Sequence, residues 1–331
     1  MSTHAIEVVE IGEVSPHPNA DQLETTTVWG WQCCVRKGEY KAGDRAVYIP
    51  PDFLVPTSRA EFAFLKRDGR EQERIRVKRL RGQLSQGLLI PWKGDDPIGA
   101  NVMESLGVER YEPPLKMSMS ADLFIGGPSG LYTPKFDVES YQRYRECFTP
   151  GEEVVITEKI HGANARYTYA SDKDGAEQLF CGSRTNWVRP DKASPWTLAL
   201  KAQPGIELWC RQNPGCVLYG EAFGQVQSLK YGASNSQIFF AAFAAMDRQL
   251  WMEWDRLVET CDRAGVTKVP LLYRGPFDES EAYAMAELDS SWPGAIHERE
   301  GVVILPTPER VDPNLGRVCL KMVSNRYLEK G

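Results

Sequence analysis

The segment Val154-Val155-Ile156-Thr157-Glu158-Lys159-Ile160-His161-Gly162-Ala163-Asn164 carries a lysine where a strand pattern runs into a glycine turn. Such a place normally takes an apolar or a turn residue, so a Glu-Lys pair flanking Ile160 asks for a chemical reason. A nucleophilic amine would be one. A free lysine has a pKa of ~10.4, so roughly one in a thousand is neutral near pH 7. An attacking amine must therefore be desolvated or set beside positive charge, a metal ion included. The plain alternative is a solvated Glu-Lys pair on an edge strand, and a KxxG string alone is too short to decide between them.

The companions of Lys159 give the segment a context. Downstream come, in order, Ser183-Arg184-Thr185, Tyr219-Gly220-Glu221, Phe239-Phe240-Ala241-Ala242-Phe243, Glu300-Gly301-Val302-Val303 and Leu320-Lys321-Met322-Val323. Together with Lys159-Ile160-His161-Gly162 this series resembles the ordered motifs of the covalent nucleotidyltransferases, the ATP-dependent ligases and mRNA-capping guanylyltransferases, over about residues 135 to 328. DNA ligases and capping enzymes usually carry Asp where this chain has His161, and the His-Gly-x-Asn form resembles RNA ligases of the phage and RNA-editing group. The resemblance implies that Lys159 takes AMP from ATP. It assigns Glu221 to the ribose hydroxyls, Glu158 to the adenine edge, and His161 and Asn164 to the neighbourhood of the phosphates. Lys321 and a Mg²⁺ or Mn²⁺ ion on Glu300 would meet the charge that moves onto pyrophosphate. Arg184 offers a fork for a phosphate or a strand end, and Phe243, or Phe239 or Phe240 in another register, a flat face for adenine. One departure stands out: the family often has a second lysine where this chain has Val323.

These residues need elements to hold them. From Phe136 onward strands and helices mix, and Trp251, Trp254, Leu257, Val258, Cys261 and Ala264 fall at helical spacing with one apolar face. Before about residue 113 the chain reads as short strands (Ala5–Val9, Leu23–Trp29, Ala46–Ile49, Arg74–Lys78) separated by turn clusters such as Pro16-His17-Pro18-Asn19. Many short strands with regular turns suggest a small barrel. Pro113-Pro114, Gly126-Gly127-Pro128-Ser129-Gly130 and Pro134 mark a linker or an ordered crossing segment. The division expected is residues 1-115, linker 116-134 and catalytic domain 135-331.

Charge has to be judged locally. The net charge of −6 disfavours a nucleic-acid partner, yet eight Lys/Arg lie between Lys66 and Arg81 against three acids. Arg74-Ile75-Arg76-Val77-Lys78 alternates, so one strand face would bury Ile75 and Val77 while the other presents three cations. With Arg79 and Arg81 these form the expected nucleic-acid surface. Pro16 to Glu24 and Arg79 to Leu89 resemble parts of OB-type RNA-binding modules, including those that bind tRNA. An OB domain ahead of the catalytic domain resembles a small group of bacterial RNA ligases.

The remaining composition excludes other classes. Hydrophobic residues are 42% and charged residues 25% of the chain, ordinary for a protein with a real core. No apolar run approaches the ~20 residues of a membrane span, and Met1-Ser2-Thr3-His4 lacks a signal pattern. Eight cysteines without a CxxC are neither zinc spacing nor a disulfide framework, which points to reduced thiols in a cytoplasmic protein. The expectation is thus an α+β protein: an OB-like N-terminal β-barrel, then an adenylyltransferase domain of antiparallel sheets flanked by helices, an ATP-grasp-like nucleotidyltransferase core. Its substrate would be nicked duplex RNA or an RNA–DNA hybrid, with no membrane and no stable protein partner implied. A GTP-dependent capping-type guanylyltransferase and a non-catalytic RNA-binding protein are the alternatives.

Overall fold

A computed structural model describes residues 5–67, 69–112, 115, 120 and 122–330. The chain forms two compact units, Pro113–Ser324 and Ser2–Glu112 joined by Asn325–Gly331. No helix among the described residues is long and apolar enough to cross a membrane.

The first unit is built from short strands. Glu7–Glu10, Arg45–Ile49 and Leu88–Pro91 form one antiparallel sheet, Ser15–Pro16, Leu23–Val28 and Trp31–Arg36 a second, and Phe53–Pro56 pairs with Gln72–Arg74 and Glu109–Arg110 in a third. Val77–Leu80 and Gln83–Gln86 make a hairpin. The alternation of Arg45–Ile49 buries both of its faces between two apolar clusters, one around Val8, Val47 and Ile49, the other around Val9, Ala46 and Tyr48. The basic stretch departs from expectation. Arg74 to Lys78 is not one strand: the chain leaves its first partner at Arg74 and begins a second pairing at Val77, because Ile75 is drawn inward. Ile75 and Val77 are buried as the alternation required, and Arg76 and Lys78 are exposed. Arg74 is not a presented cation. Its guanidinium binds Asp52 at 2.6 Å and lies 4.0 Å from the Tyr111 ring.

The second unit has two sheets. Seven strands run in the order Phe124–Ile125, Trp187–Val188, Glu177–Ser183, Ala163–Ser171, Cys216–Gly224, Ile238–Asp247, Leu250–Trp251, all antiparallel. Five run in the order Glu139–Ser140, Leu320–Val323, Gly301–Pro306, Glu153–Lys159, Leu271–Pro276, with only the first pair parallel. Helices Pro195–Ala202, Gly205–Gln212 and Trp254–Ala264 pack on the larger sheet, and Glu279–Ala286 on the smaller. The main core includes Trp209, Tyr219 and Phe240 of the large sheet layer and reaches Val155 and Leu305 of the small one. The Trp254–Ala264 helix buries Trp254, Leu257, Cys261 and Ala264, as its spacing predicts, and ends on Gly265 in the left-handed region. Trp251 falls outside it, in the short edge strand.

Two boundaries differ from the expected division. Pro113, Pro114, residues 116–119 and Ala121 lie outside the described residues, but Leu123 is fully buried and Phe124–Ile125 extends the seven-stranded sheet, so this part of the expected linker belongs to the second unit. The C-terminal helix Asn325–Lys330 belongs to the first unit, where Asn325 accepts a hydrogen bond from Gln86 at 2.8 Å and Glu329 binds Arg79 at 2.6 Å.

Candidate active site

Lys159 ends its strand opposite Gly301, and this register brings the amine to the carboxylate just before that glycine. The Nζ of Lys159 donates to Oε1 of Glu300 at 2.6 Å, while Nδ1 of His161 lies 3.5 Å from Oε2. Gly301 cannot be replaced freely, since a Cβ there would lie 2.1 Å from the Met322 carbonyl oxygen. Gly162 is under the same constraint from the other sheet: a Cβ would meet the Ala222 carbonyl at 2.3 Å. The close approach sets the Gly162 N–H beside the Glu221 carboxyl, where it favours the charged form. Asn164 is paired with Glu221 across the ladder, and its buried Oδ1 lacks a hydrogen-bond partner. A buried acceptor left this way is costly unless something else meets it.

Two carboxylates therefore converge on one lysine. Burial pushes Glu221 up to about 8, with Glu300 adding to the rise and Lys159 opposing it. Glu300 is also raised by burial, but the Lys159 charge and the His161 hydrogen bond outweigh that and hold it down at about 2. The pair is divided into one ionised and one protonated acid near neutrality, the usual outcome for like groups sharing a site.

The other expected site residues lie on or beside strands of both sheets. Lys321 faces Val303 in the ladder and shares a sheet face with Lys159, as does Val323 opposite Gly301. Arg184 is half-buried and binds Asp137 at 2.7 Å. Phe243 is the extra residue where the ladder jumps from Tyr219↔Ala244 to Gly220↔Ala242, and its ring lies 4.6 Å from that of Phe136. Phe240, one alternative for the adenine face, is buried against Tyr167, and Phe239 packs between Phe223 and Trp292. The Glu158 carboxylate is on the opposite face of its strand from Lys159. It accepts from the Ser290 hydroxyl and from the Ser291 N–H at 2.7 Å, so it fastens the 290–291 loop. Sequence reading missed these serines, as it missed Tyr231, whose hydroxyl accepts the His161 N–H at 2.7 Å, and Ser228, 3.1 Å from His161 Nε2. No periodicity marks such residues. Among the described residues no cluster of three His, Cys, Asp or Glu side chains is arranged to hold a metal unaided.

In the first unit Arg76, Lys78, Arg79 and Arg81 are exposed. His17 and Asn19 bind the Leu80 and Arg81 carbonyls at 3.0 and 3.1 Å, so the Pro16 loop buttresses the basic hairpin.

The family model described as RNA ligase matches residues 152–323, a span that holds every motif from Lys159 to Lys321. The chain belongs to the RNA ligase family. An OB-fold domain model matches residues 5–92 of this ligase, in agreement with the barrel expected there. Among solved structures, a mutant of the Naegleria gruberi RNA ligase with ATP and Mn is 26% identical, with a TM-score of 0.82 and 99% of each chain covered. Another mutant of that enzyme with AMP and Mn is 25% identical over 99% of this chain and 98% of the other, again with a TM-score of 0.82. The same enzyme with PPi is 26% identical, with a TM-score of 0.79 over 100% of this chain and 99% of the other. No curated protein sequence matches the chain. The expected ATP-dependent ligase class, with ATP and Mg²⁺ or Mn²⁺ as its cofactors, agrees with these relatives.

The carboxylate pair yields a stability signature. Glu221, raised above its unfolded value, contributes stability at acid pH that is lost as pH rises through about 8. Glu300, depressed, contributes stability present above the ordinary carboxylate range and lost only as pH falls towards about 2. Between the ordinary carboxylate range and about pH 8 the unliganded protein should lose melting temperature more steeply than its Glu221→Gln variant. Parallel melting curves for the two proteins across that range would contradict the assignment.

Proposed function

We propose that this ligase joins a 3′-hydroxyl to a 5′-phosphate in RNA by three in-line phosphoryl transfers that begin at Lys159. The observation that carries the reading is the meeting of Lys159, His161 and Glu300 within charge range of Glu221, whose ladder partner Asn164 holds a buried, unpartnered Oδ1. The amine attacks the α-phosphorus of ATP, a P–N bond forms, and the P–O bond to pyrophosphate breaks. An oxygen of the 5′-phosphate end then attacks the same phosphorus, and Lys159 departs, leaving AMP on the RNA end. In the last transfer the 3′-hydroxyl attacks the 5′-phosphorus and AMP leaves.

Each side chain has work that suits its chemistry. Glu221 accepts the ribose hydroxyls, Phe243 offers its ring to adenine, and Arg184 and Lys321 meet phosphate oxygens. Asn164 supplies an acceptor that has nothing else to bind. Glu300 would hold a divalent ion, which would supply charge stabilisation for the departing pyrophosphate. With Val323 in place of a second lysine, that task on this strand falls to Lys321.

The substrate we infer is a nicked duplex of RNA or of RNA and DNA, with ribose required at the 3′-hydroxyl side. His161, where DNA ligases have Asp, and the RNA-module character of Pro16 to Glu24 support this reading, since the 2′-hydroxyl is what separates RNA from DNA at a fixed site. Four nicked duplexes that differ only in ribose or deoxyribose on each side of the nick test it. Sealing should need a 3′ ribose, tolerate either sugar at the 5′-phosphate, and vanish in Lys159→Ala. An all-DNA nick sealed as fast would make this a DNA ligase, and labelling of the protein by GTP in preference to ATP would make it a capping-type enzyme.

The exposed cations give a second expectation. Duplex affinity should fall with salt, and replacing both Arg76 and Lys78 with Ala should flatten the log–log salt slope by about 2, near 1 for each phosphate no longer neutralised. An unchanged slope would remove the basic hairpin from the RNA surface.

A further inference from the structure

Tyr231 is an unusual residue for the conformation it adopts. The Ala233 N–H donates to the Lys230 carbonyl at 2.8 Å, which closes a four-residue turn. Both central residues have positive φ, 52° at Tyr231 and 76° at Gly232. Asn or Gly normally occupies the first of these positions, because a bulky side chain with positive φ is strained. Strain of this kind gathers at working sites, where the surroundings over-determine it.

The surroundings here are specific. The phenol is buried, with Phe223 and His297 edge-on to its ring at 5.0 and 4.6 Å. The Tyr231 N–H donates to His297 Nε2 at 3.3 Å, and the other nitrogen of that ring lies 2.7 Å from the Glu298 carbonyl, two residues before Glu300. Its hydroxyl accepts the His161 N–H at 2.7 Å, two residues after Lys159. The His161 ring is held from the other side by the Ser228 hydroxyl at 3.1 Å, which leaves Nδ1 turned to Glu300. One segment, 228–231, thus grips both the backbone and the ring of the residue that follows the nucleophile's turn.

We propose that Tyr231, seconded by Ser228, is a positioning residue for the steps in which Lys159 forms and breaks its bond to AMP. The inference rests on the adenylylation chemistry proposed above. Holding the His161 N–H fixes the Ile160–Gly162 turn, and with it the aim of the Lys159 amine that enters this turn. A misplacement of about 1 Å at a reacting atom costs up to about a hundredfold in rate. The last transfer, in which the 3′-hydroxyl attacks an already adenylylated end, makes no use of the Lys159 lone pair.

That difference separates positioning from general support of the fold. Three quantities are measured for the full chain and for Tyr231→Phe: melting temperature, single-turnover lysyl-AMP formation across ATP concentrations, and joining of chemically pre-adenylylated RNA. Tyr231→Phe removes one oxygen and should slow lysyl-AMP formation about 10- to 100-fold at saturating ATP, with the ATP half-saturation little changed. Pre-adenylylated RNA should be joined at close to the unsubstituted rate. Ser228 is exposed, so Ser228→Ala folds in any case and should show the same split with a smaller drop. Equal slowing of both reactions in either variant, or of neither in both, overturns the proposal. Failure of the unsubstituted protein to adenylylate at all overturns this proposal and the ligase reading together.

Discussion

The hydrogen-bonded ion pair between Lys159 and Glu300, 2.6 Å long, is the interaction on which the catalytic unit turns. It exists because two strands of the smaller sheet meet in a register that sets Lys159 opposite Gly301. A one-residue slip would turn Lys159 to the opposite face and send Glu158 into its place. Glycine at 301 admits the neighbouring Met322 carbonyl, and glycine at 162 admits the strand that carries Glu221. Both sheets therefore close on the lysine through positions that have no side chain. The charge pattern follows from that closure. One cation cannot satisfy two buried carboxylates equally, so Glu300 takes the lysine and Glu221 is left reluctant to ionise. A site divided in this way is set to receive further positive charge and a hydroxyl-rich ligand.

The motif residues were legible because each has its own chemical demand and because their order along the chain limits the alternatives. Lys159, Glu221, Glu300 and Lys321 could be named before any coordinate, and so could the helix Trp254–Ala264, whose apolar spacing is strong. The rest was hidden for identifiable reasons. Tyr231 acts through a backbone hydrogen bond made in a left-handed turn, and turns of that kind carry Asn or Gly as their signal, not Tyr. Ser290 and Ser291 reach Glu158 from more than a hundred residues away, a pairing that local pattern does not encode. Arg74 looked like its neighbours in the alternation, but a carboxylate at Asp52 and a ring at Tyr111 claim it. The expected strand from Arg74 to Lys78 broke because Ile75 is committed to the barrel interior.

The first unit shows how a protein with net negative charge can still present a cationic surface. Four of its exposed cations, Arg76, Lys78, Arg79 and Arg81, follow one another on one hairpin and its approach, with the hairpin turn pinned from behind by His17 and Asn19. The helix that follows the Lys321 strand belongs to the same unit, tied to that hairpin through Arg79 and Glu329. Arg79 thus has an acidic partner already, whereas Arg76, Lys78 and Arg81 are exposed cations of the same segment.

The whole mechanism depends on a covalent bond to one amine. The protein incubated with ATP and Mg²⁺ or Mn²⁺, digested, and examined by peptide mass spectrometry should carry a single acid-labile AMP adduct on the peptide containing Lys159. The label should come from the α-phosphate and not from the γ-phosphate. An AMP adduct on another residue, or none on a protein that nevertheless seals RNA, would contradict the central claim.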